Sequence, residues 1–477
     1  MQSAKFKVQS EDTEAEYSAL CTLHNEIPAQ MKPTLINIVT DHTACGFFRG
    51  LLGYLGNRGF EITLVSSPSD VLEQVASGEG VSAHAISMER EISPWRDFVS
   101  LWKIYRLLKK EKPAIVNAGT PKAALLGMMA AWLSGVPVRV FQQRGLRLET
   151  CKGLKYVILT MAEKITCRCA TRIICNSESI RQKMLAWKLA PSEKLTLLCS
   201  GSSKGIDCTR YSIHHDTIRE ALALRDKYAI PPDAPVIGTV GRIVKDKGIA
   251  ELVQTFKKIS AIYPNARLIL VGSQEKGNPV EKEVLQWLEQ STHVILTGHR
   301  DHVVPYYHLF DVFVFPSYRE GFPNVVLEAA AMGIPTVGFH ATGVVDAIAD
   351  GETGTIVPMK DFHAMAKAVL QYLNDPCLRF RHGLNGRRRV VRDFQPPMLW
   401  EAYCQEYCEL LRQKKISEPE LEVKPEPPAL ITPEEDMKEF AKWYAVRETV
   451  LRKADLAKVS RELDVDETEV RELCELC

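Results

Sequence analysis

Two glutamates lie eight positions apart in REGFPNVVLEAAAMGIPTVGF, residues 319–339. Glu320 lies in a loop-like stretch after a predicted strand that ends at Ser317. Glu328 lies about one turn into a helix that is predicted to begin near Asn324. The first turn of such a helix presents backbone N–H groups that bind anions. Glu328 can accept hydrogen bonds from a ribose diol, as acidic residues do in dinucleotide-binding folds. The segment therefore favours a nucleotide site.

A basic segment, VGRIVKDKG, places Arg242 and Lys247 just after another predicted strand. Arginine offers a planar fork to phosphate, and lysine offers a point charge. Residues 32–416 contain no obvious Asp-x-Asp metal site, so fixed cations would have to neutralise the phosphates of a bound nucleotide. We expect neither a metal ion nor a cofactor. A basic loop on a surface helix is the alternative.

The amino-terminal half contains weaker candidates for phosphate binding. Gly46, in DHTACGFFRG, follows the first strand and would let backbone approach a diphosphate closely. Thr120 is predicted to cap a helix that starts with proline, which places Lys122 at a positive helix end. Arg144 and Arg147 follow the next predicted strand and could join this group.

Short apolar strands alternate with amphipathic helices from Lys32 onwards, and the alternation restarts after SGSSKGIDCTRYS. This pattern predicts two parallel sheets covered by helices on both faces. Ligands of such sheets bind at the carboxyl ends of the strands, here in the cleft between the domains. The predicted strands are LINIVT (35–40), FEITLVSS (60–67), AIVNAG (114–119), VPVRVFQQ (136–143), RIICNS (172–177), PVIGTVGR (235–242), ARLILVGS (266–273), HVILTG (293–298), VFVFPS (312–317), PTVGF (335–339) and GTIVP (354–358).

The predicted fold is α/β, with two doubly wound Rossmann-like domains, an interdomain cleft and a small helical appendage. In chain order we expect a polar leader (1–31), a first Rossmann-like domain (32–205), a second Rossmann-like domain (206–394), a helical segment (395–416), a Pro/Glu-rich linker (417–432) and the appendage (433–477).

The carboxyl-terminal tail is acidic. Residues 417–477 contain 17 acidic and 9 basic residues, whereas the rest of the chain carries a net charge of +9. We expect the tail to bind the body of the protein or a partner protein through Phe440, Trp443, Tyr444 and Leu451, with no part in any chemistry. A loosely tethered, idle helix pair is the alternative.

The composition, with 45% hydrophobic and 25% charged residues, is that of a soluble globular protein. There is no signal-peptide pattern and no apolar run of about 18 residues. Thirteen scattered cysteines indicate reduced thiols in the cytoplasm, and the distant C-x-C and C-x-x-C pairs do not predict zinc. WKIYRLLKKEK (102–112) fits an interfacial helix or a surface helix packed on the sheet. We expect no nucleic-acid partner.

The segment FPSYREGFPNVVLEAAAMGIP resembles the signature region of family 4 glycosyltransferases, which have the GT-B fold. The resemblance implies that Arg242 and Lys247 stabilise the leaving diphosphate while Glu320 positions the donor sugar. It further implies that residues 32–205 bind the acceptor, that residues 206–394 bind the donor, and that residues 395–416 form a crossover helix that packs back on the first domain. The implied donor site is built from Gly46, Gly321, Phe322, Asn324, Val325, Glu328 and Gly343.

The segment NAGTPKAALLGMMAAWLSGVPVRVFQQRGLRLET, residues 117–150, resembles the subgroup that acts on polyprenyl-diphosphate-linked acceptors. This implies acceptor binding by Thr120, Lys122, Arg144 and Arg147. The expected reaction is retaining transfer of a hexosyl or N-acetylhexosaminyl group from a UDP-sugar to a lipid-linked glycan, at the cytoplasmic membrane face. The sequence departs from the family where Asn117 and Gly119 stand in place of a common histidine. A UDP-sugar 2-epimerase and a non-catalytic membrane-associated assembly subunit are the alternatives.

Overall fold

The computed structural model describes residues 32–89, 93–275, 277–419 and 429–476. The predicted leader, residues 1–31, and most of the predicted linker lie outside these ranges. Among the described residues, no helix combines the length and the hydropathy needed to cross a membrane.

The first domain is built on a seven-stranded parallel sheet in the order β3-β2-β1-β4-β5-β6-β7. Its strands are almost completely buried except at the edges, as expected for a parallel sheet covered on both faces. The strands are β1 (Thr34–Ile38), β2 (Glu61–Ser66), β3 (Ser82–Ala85), β4 (Ile115–Ala118), β5 (Val138–Gln143), β6 (Arg172–Cys175) and β7 (Leu195–Leu197). The helices are α1 (His42–Cys45), α2 (Leu51–Asn57), α3 (Asp70–Glu79), α4 (Pro94–Glu111), α5 (Pro121–Ser134), α6 (Gly153–Cys169) and α7 (Glu178–Ala186).

The second domain has a six-stranded parallel sheet in the order β10-β9-β8-β11-β12-β13. Its strands are β8 (Val236–Val240), β9 (Arg267–Val271), β10 (Val294–Leu296), β11 (Val312–Phe315), β12 (Thr336–Phe339) and β13 (Gly354–Val357). Its helices are α8 (His215–Lys227), α9 (Ile249–Ser260), α10 (Lys282–Gln290), α11 (Val304–Leu309), α12 (Asn324–Ala331), α13 (Val344–Ala347), α14 (Phe362–Asn374) and α15 (Pro376–Asp393). The two doubly wound sheets are those predicted from the sequence.

Helix α16 (Pro396–Gln413) packs on the first domain. Tyr403 and Tyr407 are buried there with the residues of β1 and β2. Gln142, at the end of β5, donates a hydrogen bond to the Tyr403 hydroxyl. The second domain is therefore followed by a helix that belongs to the core of the first.

The tail forms three helices, α17 (Pro433–Arg452), α18 (Leu456–Leu463) and α19 (Glu467–Leu476), and α17 packs on α15 and α8. Phe440, Tyr444 and Leu451 are buried in the core of the second domain. The tail is therefore docked on the body of the protein, as predicted, and is not a loosely tethered helix pair. Trp443 is only partly buried, and its indole N–H donates to Glu439 within the same helix.

Candidate donor and acceptor site

The loop between β11 and α12 holds Glu320 in a fixed position. Its backbone N–H donates to the Thr342 carbonyl at 2.9 Å, and its Oε1 accepts a hydrogen bond from Ser317 Oγ at 2.5 Å. The same oxygen forms an ion pair with Lys247 Nζ. The side chains of Lys247 and Glu320 are 19% and 16% exposed. Glu320 is therefore a charged, shielded group beside the start of α12.

Lys247 is positioned by the short helical turn Lys245–Lys247, which follows β8. Its Nζ lies 5.2 Å from the centre of the Phe315 ring at the end of β11. The lysine thus stands between the carboxyl ends of two neighbouring strands, where parallel sheets bind ligands.

Arg242 does not join this ion pair. Its Nη1 pairs with Glu275 Oε2 at 2.7 Å, and its side chain is 58% exposed. Arg242 and Lys247 line one small cavity, together with Gly241 and Phe315. The predicted basic pair is thus close together, but only the lysine contacts the acidic loop in this conformation.

Glu328 is buried within α12, with 6% exposure. Tyr307 Oη donates to Glu328 Oε2 at 3.0 Å, and Lys204 Nζ lies 3.9 Å from Oε1. Burial raises the pKa of Tyr211 well above its ordinary value, and the nearby Glu328 charge contributes to the same shift. The carboxylate is therefore surrounded by a cation and phenolic donors that a bound diol could replace.

The two domains touch at glycines of the predicted donor site. A Cβ added to Gly321 would lie 1.8 Å from the Arg144 carbonyl oxygen, so no side chain fits there. Gly343 has φ +77°, and a Cβ on it would lie 2.8 Å from the carbonyls of Glu320 and Gly321. The Gly343 N–H donates to Ser179 Oγ of the first domain at 2.8 Å. The interdomain cleft is therefore narrow at this point.

The other residues predicted to bind the donor are Phe322, Asn324, Val325 and Gly46. Phe322 is buried, and its ring centre lies 5.5 Å from that of Phe394. Asn324 begins α12, and its Oδ1 accepts a hydrogen bond from Ser202 Oγ at 3.1 Å. The Val325 carbonyl accepts from Tyr307 at 3.2 Å. A Cβ on Gly46 would meet open space, so backbone there is accessible to a ligand.

Arg144 is the most unusual of the predicted acceptor residues. Its Nη2 donates to Gln142 Oε1 at 2.8 Å, and its guanidinium lies 4.3 Å from the centre of the Phe47 ring. Its Nε and Nη1 are buried and have no hydrogen-bond partner among the described residues. Burial lowers the pKa of Arg144 to about 10. A buried cation with unused donors is suited to an anion in the cleft.

The expected capping role of Thr120 is wrong. Thr120 does precede α5, but its Oγ1 bonds to Thr40, accepting from the backbone N–H at 3.0 Å and lying 2.6 Å from the hydroxyl. Thr40, two residues after the end of β1, instead accepts the Ala123 N–H of α5 at 3.3 Å through its hydroxyl oxygen. A side chain from the loop after the neighbouring strand therefore takes the place of the local cap.

Lys122 lies in the first turn of α5, and Arg147 lies beyond β5, the strand that follows this helix. Lys122 Nζ forms an ion pair with Asp97 Oδ1 of α4 at 2.7 Å, with the lysine 11% exposed. An acceptor phosphate would have to compete with Asp97. Arg147 is half-buried in the short helical turn Arg147–Thr150 that follows β5.

The place of the family's common histidine is filled by a buried pair of amide side chains. Asn117 Nδ2 donates to Asn37 Oδ1 at 2.8 Å, and both side chains are buried. Within the ranges that the structure describes, no group of three or more His, Cys, Asp or Glu side chains is arranged to hold a metal ion.

Sequence analysis missed Lys204, Ser317 and Tyr307. Lys204 lies in the segment that separates the two alternating patterns, and Ser317 ends a predicted strand. The position of each residue was therefore a signal in the sequence. Tyr307 precedes β11 by five positions and carries no local signal, because its contact with Glu328 arises from packing.

Comparison with known proteins places these residues in a family. The model "Glycosyl transferases group 1" matches residues 234–375, and the model "Glycosyl transferase 4-like domain" matches residues 47–201. Together they cover more than half of the chain.

One relative is the capsular polysaccharide biosynthesis glycosyltransferase CapM of Staphylococcus aureus. It is 39% identical over 381 residues, which are 80% of this chain and 98% of the relative. The Escherichia coli UDP-Gal:alpha-D-GlcNAc-diphosphoundecaprenol alpha-1,3-galactosyltransferase is 25% identical over 345 residues, which are 71% of this chain and 87% of that protein.

Among solved structures, Anabaena HepE in complex with UDP has a TM-score of 0.64 at 16% identity, covering 78% of this chain and 99% of HepE. This likeness shows the GT-B fold. The family matches and the Staphylococcus aureus relative together show that the chain belongs to the family 4 (group 1) glycosyltransferases.

Proposed function

We propose that the protein is a retaining glycosyltransferase that moves a hexosyl or N-acetylhexosaminyl group from a UDP-sugar to a polyprenyl-diphosphate-linked glycan at the cytoplasmic face of the membrane. The observation that carries this proposal is that two glutamates lie near the start of α12, each held in place by other side chains. Glu320 is held by Lys247 and Ser317, and Glu328 is held by Tyr307.

The assignment of UDP and of a lipid-linked acceptor is supported by the Escherichia coli relative, whose name specifies UDP-galactose and a diphosphoundecaprenol-linked sugar. The Staphylococcus aureus relative is named for capsular polysaccharide biosynthesis. Arg144 supports an anionic ligand on the acceptor side, because two of its donors are buried and have no partner in the described part of the chain.

In the proposed mechanism, Glu328 binds the ribose diol and the first amides of α12 bind the diphosphate. Lys247 stabilises the charge that develops as the bond between the sugar and UDP breaks. The acceptor hydroxyl attacks on the face from which UDP leaves, and the leaving phosphate takes its proton. Glu320 Oε1 accepts hydrogen bonds from both Ser317 and Lys247. This arrangement suits Glu320 to orient the donor rather than to attack a carbon atom of the sugar.

Membrane contact is supported by an apolar face on the first domain. Fifteen large hydrophobic side chains are exposed among the described residues, and twelve of them lie on the three neighbouring helices α4, α5 and α6. Apolar patches of this kind mark interaction sites. They are Trp95, Phe98, Val99 and Trp102 on α4, Trp132 and Leu133 on α5, and Leu154, Tyr156, Val157, Ile158, Met161 and Ile165 on α6.

Exposed basic side chains accompany this face, among them Lys103, Arg106, Lys109 and Lys110 of α4. Aromatic and basic residues side by side favour a surface of anionic lipid. Helix α6 begins three residues after the turn Arg147–Thr150, and Thr150 of that turn accepts a hydrogen bond from Arg319 Nε of the second domain at 2.9 Å. A lipid held on this face would therefore enter beside the cleft.

Sedimentation with phosphatidylglycerol vesicles tests this contact. The paired change Trp95→Ser and Trp102→Ser should weaken binding by about 10-fold or more. Ile262→Ser, at an exposed apolar position on the second domain, is the matched control and should bind as wild type. Equal binding by the tryptophan variant and the control would overturn the membrane assignment.

Product analysis tests the reaction. The protein is incubated with UDP-sugars, with and without a polyprenyl-diphosphate-linked sugar, and the anomeric configuration of the product is read by NMR coupling constants. We expect UDP release only with the acceptor and a product that keeps the donor's anomeric configuration. An inverted product would overturn the retaining mechanism. A 2-epimerised sugar formed without acceptor would favour the epimerase alternative.

A further inference from the structure

We propose that the tail helix α17 positions the donor site by holding the ends of the two helices that carry Tyr307 and Glu328. This inference rests on the proposed donor site. It assigns a role to a segment that lies outside both family-model matches, which cover residues 47–201 and 234–375.

Contacts from α17 converge on the carboxyl end of α12. Arg447 Nη1 donates to the Met332 carbonyl at 3.3 Å, and the arginine is 2% exposed. Gly333, with φ +68°, lies under Phe440, and a Cβ there would be 2.8 Å from Phe440 Cζ. Carbonyls at a helix end have no partner within the helix and carry partial negative charge, so a cation stabilises them.

A second arginine links the tail to the same helix end. Arg387 of α15 donates from Nη1 to the Ala331 carbonyl at 2.9 Å. Its Nε donates to Asp436 Oδ2 of α17 at 2.7 Å, and both side chains are buried. Arg387 also donates to the Cys208 and Tyr211 carbonyls, so Asp436 of the tail is one of several acceptors that fix its position.

The tail also holds α11. Arg452 Nη2 lies 3.5 Å from the Leu309 carbonyl, and its Nη1 forms an ion pair with Asp311 Oδ1 at 2.8 Å. Burial alone would raise the pKa of Glu448, but Arg452, Arg447 and Arg379 outweigh it and lower that pKa to about 2. Glu448 is thus ionised and ties these arginines together.

These contacts lie close to the proposed ribose site. Glu328 is four residues before Met332, about one helical turn away, and Tyr307 is two residues before Leu309. The Tyr307–Glu328 hydrogen bond joins the two helices. Displacement of either helix end would therefore change the distance on which this hydrogen bond depends, without any tail residue touching the substrate.

The test uses the full-length protein and UDP as the probe. Arg447→Met removes the bond to Met332 but keeps the apolar stem, and Asp436→Asn weakens the hold on Arg387. Val470→Ala, in α19 packed on α17, is the control because it loosens the tail at a buried position without removing a polar contact to α11 or α12. Circular dichroism and thermal unfolding establish that each variant is folded.

We expect each polar variant to raise the UDP Kd and the donor KM by about 3- to 10-fold, while kcat stays within about two-fold. Val470→Ala should lower the unfolding temperature but leave the UDP Kd unchanged. In a Glu328→Ala background, Arg447→Met should cause no further rise, because its effect passes through Glu328.

Wild-type UDP affinity in folded Arg447→Met and Asp436→Asn would overturn the inference. An equal rise in Kd with and without Glu328 would do the same. If Glu328→Ala alone leaves UDP binding unchanged, the donor-site assignment fails and this inference falls with it. If Glu328→Ala weakens binding while the tail variants do not, only the role of the tail is wrong.

Discussion

Replacement of Lys247 by methionine removes the charge that we assign to the leaving diphosphate while keeping much of the side-chain volume. Loss of one preorganised donor to developing charge typically costs about 2.7–4 kcal/mol, or about 10²- to 10³-fold in kcat. We therefore expect Lys247→Met to lower kcat by about that factor.

The same change also breaks the ion pair with Glu320. Exposed pairs contribute up to about 1 kcal/mol, and breaking fully buried pairs costs about 3–5 kcal/mol. With side-chain exposures of 19% and 16%, this pair lies between the two limits. We expect a stability loss of about 1–3 kcal/mol, which the double change Lys247→Met with Glu320→Gln should largely reverse without restoring activity.

Lys245 supplies a matched control within the same helical turn. It has the same charge, but it is 57% exposed and pairs with Glu281 at 2.5 Å, away from Glu320. The assay is acceptor-dependent UDP release under donor saturation. Lys245→Met should retain wild-type kcat. Equal rates for Lys247→Met and wild type, or equal losses in the two variants, would refute the assignment of Lys247.

Glu328→Ala should raise the UDP Kd by about 10-fold or more through loss of a charged hydrogen bond, whereas Glu320→Gln should mainly lower kcat; unchanged affinity and rate in both would contradict the donor site. Activity should survive EDTA, and a loss restored by Mg²⁺ or Mn²⁺ would show that a metal is needed. Burial raises the pKa of Glu163 to about 7 from an ordinary 4.5. Since the unfolded chain then binds fewer protons, stability should fall as pH rises from about 4.5 to 7. Glu163→Gln should remove this dependence of the unfolding temperature on pH. An unchanged dependence would contradict the raised pKa of Glu163.

The strands were largely predictable because a parallel sheet buries both faces and leaves continuous apolar runs in the sequence. The two strands missed are both at sheet edges. β3 reads SAHA and is mostly exposed, so it has no apolar run, and β7 spans only three residues. An edge strand of this kind is determined by its neighbour more than by its own residues.

The local geometry of the site was the part that the sequence alone predicted. Helix α12 begins at Asn324 as expected, because its start follows from the strand, loop and apolar run that surround it. The contact of Thr120 with Thr40 was not, since it joins residues 80 positions apart. Within the run of arginines 387–389, Arg387 is buried and Arg388 is exposed. The acceptors of Arg387 are Asp436 of the tail and the carbonyls of Cys208, Tyr211 and Ala331, all distant in sequence.

A crystal structure of the protein soaked with UDP tests the central claim most directly. We predict density for the ribose within hydrogen-bonding distance of Glu328, with the diphosphate at the amino end of α12 and beside Lys247. UDP bound elsewhere, with Glu328 still hydrogen-bonded to Tyr307 and Lys247 still paired with Glu320, would contradict the assignment of this loop and helix as the donor site.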